Sequence, residues 1–196
     1  GTTGRNLMGQ VDGTVNPAPG SADFDPLVWI GGSGPLAGGT QLVVRRIEMD
    51  LDGWEKVDRF GRELTIGRRL DDGAPLSGRQ ERDEPDFEAT DQLGLPLIDP
   101  ASHLRRARTG NPDERILRRA FNYQGVEDGR TAAGLLFCSF QADIDRQFVP
   151  IQRRLADSDR LNRWTAAIGS AVYSVPPGCR EDGYVGDRLL SAAGVR

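Results

Sequence analysis

The chain has 196 residues, enough for one substantial domain with its own core. Apolar residues make up 37% and charged residues 28%, a soluble globular balance, and no apolar run approaches the ~18 residues needed to span a membrane. The net charge of -4 gives no electrostatic case for a nucleic-acid partner.

Residues 1–39 are rich in Gly, Pro, Asn and Asp, which favours loops and turns. Gly1 to Met8 does not look like a natural start, so a piece of a longer protein is expected. Thr40 to Ile47 is β-branched and apolar and predicts a strand. Leu51, Trp54, Val57 and Phe60 recur at three-residue spacing and, with Asp50 as N-cap, predict one amphipathic helix. Glu63 to Leu70 predicts a second short helix. Residues 71–102 show no period and predict a long loop of the functional kind. Ile116 to Phe121 reads as a strand, Glu127-Asp128-Gly129-Arg130 as a turn, and Ala133 to Phe140 as a buried strand. Ile144, Phe148, Ile151 and Leu155 mark a helix face that Pro150 should bend or divide. Asp157 to Ala167 predicts another helix. Ala171 to Val175 predicts a short strand, stopped by Pro176-Pro177-Gly178. Strands joined by helices and long loops fit an α+β fold with a mostly antiparallel sheet.

Basic charge is almost all arginine, Lys56 being the one lysine. A lone arginine is therefore a weak signal, and the pairs Arg68-Arg69 and Arg153-Arg154 read as solvated faces. Cys138 and Cys179 are too few for a disulfide framework, and Cys138 reads as a buried small hydrophobe. No Cys-x-x-Cys-His run indicates covalent haem attachment.

Histidine occurs once, at His103. Far upstream lies Gly9-Gln10-Val11-Asp12-Gly13-Thr14, and shortly downstream Leu117-Arg118-Arg119. An imidazole can ligate iron from one side. A carboxylate and a guanidinium on the other side could move a proton and stabilise charge while peroxide is split. Each residue also has a plain reading: an exposed histidine, an Asp-Gly turn, a solvated arginine. If residues 116–121 are extended, one of Arg118 and Arg119 faces the site and the other faces away.

In combination these segments resemble the dye-decolourising peroxidases, which include the deferrochelatase/peroxidase group. The resemblance runs from about Asn6 to Pro177. It rests on Gly9-x-x-Asp12-Gly13, on Gly38-Gly39-Thr40 leading into Val43-Val44-Arg45-Arg46, and on Ile66-Gly67-Arg68. It continues through Ser102-His103-Leu104-Arg105, Leu117-Arg118-Arg119, Leu135-Leu136-Phe137 and Phe140-Gln141-Ala142-Asp143-Ile144. It implies a ferredoxin-like α+β domain with an antiparallel sheet, of the dimeric α+β barrel type. Residues 1–196 resemble the C-terminal haem-binding half of such a protein, the N-terminal half lying outside this chain.

The resemblance implies haem b with His103 as proximal iron ligand, and Asp159 as the acid that orients the imidazole, with Asp157 as its rival. It implies Asp12 as distal acid/base and Arg118 as distal arginine, a register shift of one exchanging Arg118 with Arg119. Gly13, Thr14 and Val15 are expected beside the haem. Asn111, Pro112 and Asp113 resemble a haem-contacting element, displaced by an apparent insertion around Arg108-Thr109-Gly110. Arg105 is expected on a haem propionate and Phe137 on the distal face. Trp29, Trp54, Trp164, Tyr123, Tyr173 and Tyr184 are candidate electron way-stations, with nothing in the sequence to choose among them.

The implied activity reduces hydrogen peroxide through a ferryl intermediate and oxidises small aromatic donors such as phenols and dyes. The alternatives are deferrochelatase-like release of iron from haem and a non-catalytic ferredoxin-like interaction module. The implied partners are peroxide, the reducing donor and the N-terminal half; a homo-oligomer stays open. The resemblance also implies export by the twin-arginine route, with cytoplasmic residence as the alternative.

Overall fold

A computed structural model describes residues 4–108, 110–127 and 129–194. Four antiparallel strands form its sheet: β1 (Thr40–Met49), β2 (Leu117–Glu127), β3 (Arg130–Gln141) and β4 (Thr165–Val175), in the order β2-β3-β1-β4. That order, with helices between β1 and β2 and between β3 and β4, is ferredoxin-like. β2 and β3 form a hairpin whose turn holds Gly129 at φ +75°; Asp128 of the expected turn lies outside the described residues.

Residues directly opposite in a ladder share a face of the sheet. Arg45 pairs with Phe137 and Ile47 with Leu135, while Ala120 pairs with Phe137 and Arg118 with Ser139. These side chains therefore line one face. Arg119 pairs with Cys138 and belongs to the other. The first face carries the core: Met8, Met49, Trp54, Ile66 and Leu135 are buried together. Trp54 and Trp164 meet edge to face at 5.2 Å, and the Trp54 indole N–H donates to the Met8 carbonyl at 3.2 Å. That bond ties the N-terminal loop to the core just ahead of Gly9.

The helix expected from Leu51 through Phe60 is two helices, α2 (Leu51–Glu55) and α3 (Arg59–Ile66), after α1 (Phe24–Val28). Asp50 caps α2 as expected, but Asp58 caps a fresh start by accepting from the Gly61 N–H at 2.7 Å. Phe60, on the second helix, is 72% exposed rather than part of an apolar face. α3 stops where Gly67 turns left-handed at φ +89°.

Residues 71–102 form a long loop, as expected. It leads to α4 (His103–Ala107) and a 3₁₀ turn at Pro112–Glu114. α5 (Phe148–Ser158) runs unbroken through Pro150, because the proline falls in its first turn, where its missing N–H has no intrahelical partner. Ile144 lies before that helix. The helix expected over 157–167 does not exist: the chain leaves α5 at Asp159, makes a 3₁₀ turn at Arg160–Arg163 and enters β4 at Thr165. α6 (Asp187–Ala192) follows the sheet.

Cys138 is partly buried and Cys179 exposed. Burial pushes the Cys138 thiol above its ordinary pKa, which lowers its thiolate fraction. Iodoacetamide at neutral pH should therefore modify Cys179 well before Cys138. Equal labelling rates in peptide mass spectra would contradict that packing.

Candidate active site

Between the core face of the sheet and helices α4 and α5 lies a cavity of about 720 Å³, within the size range of small-molecule and cofactor sites. Its apolar lining includes Ile47, Leu135, Phe137, Ile151 and Leu155. Into it the fold delivers the imidazole, the loop aspartate and the first arginine of the pair.

His103 is the first residue of α4. Ser102 caps that helix, its hydroxyl accepting weakly from the Arg105 N–H at 3.4 Å. His103 Nδ1 lies 2.6 Å from Asp159 Oδ2, and the Asp159 side chain is only 3% exposed. The other carboxylate oxygen accepts from the Leu161 N–H at 2.9 Å. Asp159 is thus a cap for the 3₁₀ turn and the partner of the histidine at once. Asp157, the rival, is exposed and accepts from the Ser158 hydroxyl, whereas Asp159 is the acid that meets His103. With Nδ1 committed to the carboxylate, Nε2 is the nitrogen left for a ligand.

Asp12 lies on the N-terminal loop. Its Oδ1 is 3.1 Å from Arg118 Nη2, the two side chains being 22% and 26% exposed. The approach is electrostatic: Oδ1 is buried and accepts no well-directed hydrogen bond. Gln10, 7% exposed on the same loop, also points a buried amide nitrogen with no partner, and both residues line the cavity. Arg119 is exposed on the far face of the sheet, so of the two arginines it is Arg118 that stands beside Asp12.

A family model described as "Dyp-type peroxidase, C-terminal" matches residues 3–180. The chain belongs to the Dyp-type peroxidase family. It is 46% identical to a dye-decolorizing peroxidase of Thermobifida fusca, covering 96% of this chain and 46% of that protein. It is 29% identical to the deferrochelatase of Escherichia coli K12, covering 94% of this chain and 46% of that protein. The crystal structure of a DyP-type peroxidase from Cellulomonas bogoriensis superposes with a TM-score of 0.89 at 52% identity, over 95% of this chain and 52% of that one. The chain therefore spans about half the length of the relatives it matches.

The other residues expected at this Dyp-type site are not all brought there. Thr14, Val15, Asn111, Pro112 and Phe137 line the cavity. Gly13 does not; it serves the loop through its backbone, at φ +85°. Asp113 is exposed and outside the lining, its N–H held by Asn111 Oδ1 at 3.0 Å. Arg105 is turned away. It donates to the Phe87 carbonyl at 2.6 Å and lies over the Phe87 ring at 5.3 Å. On a helix, residue i+2 does not share a face with residue i, so Arg105 cannot follow His103 into the cavity. Arg108 does reach it, paired there with Glu84. Trp54 and Trp164 belong to the core assembly, whereas Trp29, Tyr173 and Tyr184 are exposed.

Sequence reasoning missed Arg68. It was read as solvated, yet it lines the cavity and burial lowers its pKa below the ordinary guanidinium value. Its Nη1 donates to the carbonyls of Gly73 and Glu81, at 2.7 and 2.8 Å, and the Glu81 side chain accepts from Thr14 Oγ1 at 2.9 Å. Arg68 thus joins the long loop to the Asp12 loop. Arg45, noted in Val43-Val44-Arg45-Arg46 without a role, was missed as well. It too lines the cavity, bonded to Gln152, with its pKa lowered by burial. For Arg68 the available signal was Ile66-Gly67-Arg68, a motif noted without a role.

Gly67 shows why that motif holds glycine. A Cβ there would stand 3.0 Å from Leu104 Cβ and 3.1 Å from Ser102 Oγ, at a left-handed φ of +89°. Gly67→Ala should therefore strain the start of α4 and cost on the order of 1–3 kcal/mol. A thermal midpoint unchanged from wild type would contradict that close approach.

Proposed function

We propose that this chain binds haem b and forms the peroxide-cleaving site of a dye-decolourising peroxidase that oxidises small aromatic donors. The observation that carries the reading is the His103–Asp159 pair, which leaves Nε2 as the free ring nitrogen in a cavity that Asp12 and Arg118 also line.

The residues present suit such a cofactor. His103 has no cluster of further His, Cys, Asp or Glu around it among the described residues, and a macrocycle would bring its own donors for iron. The apolar lining, with Ile47, Leu135, Phe137, Ile151 and Leu155, suits the apolar faces of a porphyrin. The buried Gln10 amide nitrogen and Asp12 Oδ1 have no hydrogen-bond partner, and Arg68 is a half-buried cation that donates to two carbonyls. His103 Nε2 would take the iron. Arg68 would take a carboxylate, with Thr14, Val15, Asn111 and Pro112 at the border.

When bound, haem supplies the two electrons that cleave the O–O bond and recovers them singly from the donor. The protein's share is protonic and electrostatic. Asp12 accepts a proton from one oxygen of hydrogen peroxide and returns it to the other, which leaves as water. The guanidinium of Arg118 is a fixed positive charge beside Asp12, able to anchor the anionic peroxide and stabilise charge during cleavage. Asp159 holds the imidazole in one tautomer and makes it more electron-donating.

The 29% identity to a deferrochelatase favours one rival, release of iron from intact porphyrin at the same pocket. The test is a haem titration followed by peroxide and a phenolic dye. A Soret band and oxidised donor are expected. Free iron with protoporphyrin would favour the rival, and no Soret band would overturn both.

A further inference from the structure

β2 is an edge strand, with β3 on one side only. At Arg118, which faces Ser139 across that pairing, the side-chain amide of Asn16 occupies the open edge. Asn16 Oδ1 accepts from the Arg118 N–H at 2.9 Å, and Nδ2 donates to the Arg118 carbonyl at 2.8 Å. The amide therefore makes the two bonds that a further strand would make. It does so at Arg118, whose side chain meets Asp12 at 3.1 Å.

The Asp12 loop is built to present that amide. The Asn16 N–H donates to the Gly13 carbonyl at 3.0 Å, closing a turn. Gly13 adopts φ +85°, and a Cβ there would lie 3.1 Å from Asn16 Nδ2. A side chain at position 13 would crowd the amide as well as strain the backbone. Asp12, Gly13 and Asn16 thus form one mechanical unit, in which the glycine makes room for the clamp.

We propose that Asn16 is a positioning residue that fixes Arg118 against Asp12 through the backbone. This rests on the peroxidase reading above, and it adds a requirement that reading lacks. The Asp12–Arg118 ion pair joins partly exposed groups, and such pairs hold weakly. It is also lost whenever Asp12 carries the proton it transfers. The two amide bonds do not depend on that charge, so they keep the separation of acid and arginine constant through the step.

The test uses Asn16→Ala, Arg118→Leu and the double variant in the full chain. Two measurements are made: amide hydrogen exchange without cofactor, and stopped-flow reaction of the haem-loaded protein with peroxide. Exchange at Arg118 should speed up in Asn16→Ala while exchange at Ala120 does not. Asn16→Ala should slow the peroxide reaction by about 10- to 100-fold, the cost of a misplacement near 1 Å. In the Arg118→Leu background the same substitution should have no effect, and Asn16→Gly should fail to restore the rate. A slowdown that persists without Arg118 would mean general loosening and would overturn the proposal, as would unchanged exchange at Arg118. Failure of wild type to take up haem would instead sink the peroxidase reading and leave the exchange result to judge the clamp.

Discussion

His103→Ala is expected to lose haem affinity by more than about a hundredfold, beyond the 10- to 100-fold that removal of an outer partner of a metal ligand costs. The reason is the absence of a substitute. His103 is the single imidazole of the sequence, and among the described residues no cluster of three metal-binding side chains stands ready to replace it. The substitution also strips Asp159, a carboxylate only 3% exposed, of its Nδ1 partner. That leaves a buried group short of one hydrogen bond and costs roughly 1–3 kcal/mol of stability. Far-ultraviolet circular dichroism at moderate temperature separates this from unfolding, since the sheet should survive. Added imidazole should restore part of the Soret band. A variant that binds haem as tightly as wild type would remove His103 from the site.

Arg118→Leu is expected to keep its haem and to react with peroxide about 10²- to 10³-fold more slowly, the usual cost of one lost charge-stabilising donor. Its side chain shares the core face with Phe137 and meets Asp12 at 3.1 Å. Arg119→Leu provides the control. That side chain is exposed on the other face, so its loss should leave the rate near wild type. Stopped-flow spectra after one equivalent of peroxide distinguish the two. Equal effects would mean that the face assigned to Arg118 is wrong.

Much of this arrangement is legible in the amino-acid sequence. β1 announces itself through Leu42, Val43, Val44 and Ile47, and the period of two in an extended strand separates Arg118 from Arg119. What failed did so where a distant contact outweighs local pattern. Residues 157–167 look helical, but Asp159 is drawn out to His103, 56 residues away in sequence, and the helix ends there. β4 was underestimated because Thr165-Ala-Ala-Ile-Gly-Ser is small and largely exposed along a sheet edge, without the alternation that marks a half-buried strand. Arg68 looked solvated because arginine is abundant here. Its burial depends on the carbonyls of Gly73 and Glu81, in a loop with no period to read. Arg105 is a different lesson. Once Ser102 is seen as a helix cap, its position two residues after His103 already directs it elsewhere.

The most direct test of the central claim, that His103 Nε2 holds haem iron while Asp159 holds Nδ1, is resonance Raman spectroscopy of the ferrous haem complex. Wild type should show an iron–imidazole stretch that is absent in His103→Ala and shifts to lower frequency in Asp159→Asn, where the imidazole loses its anionic partner. A stretch that survives in His103→Ala, or one that ignores Asp159→Asn, would contradict the account.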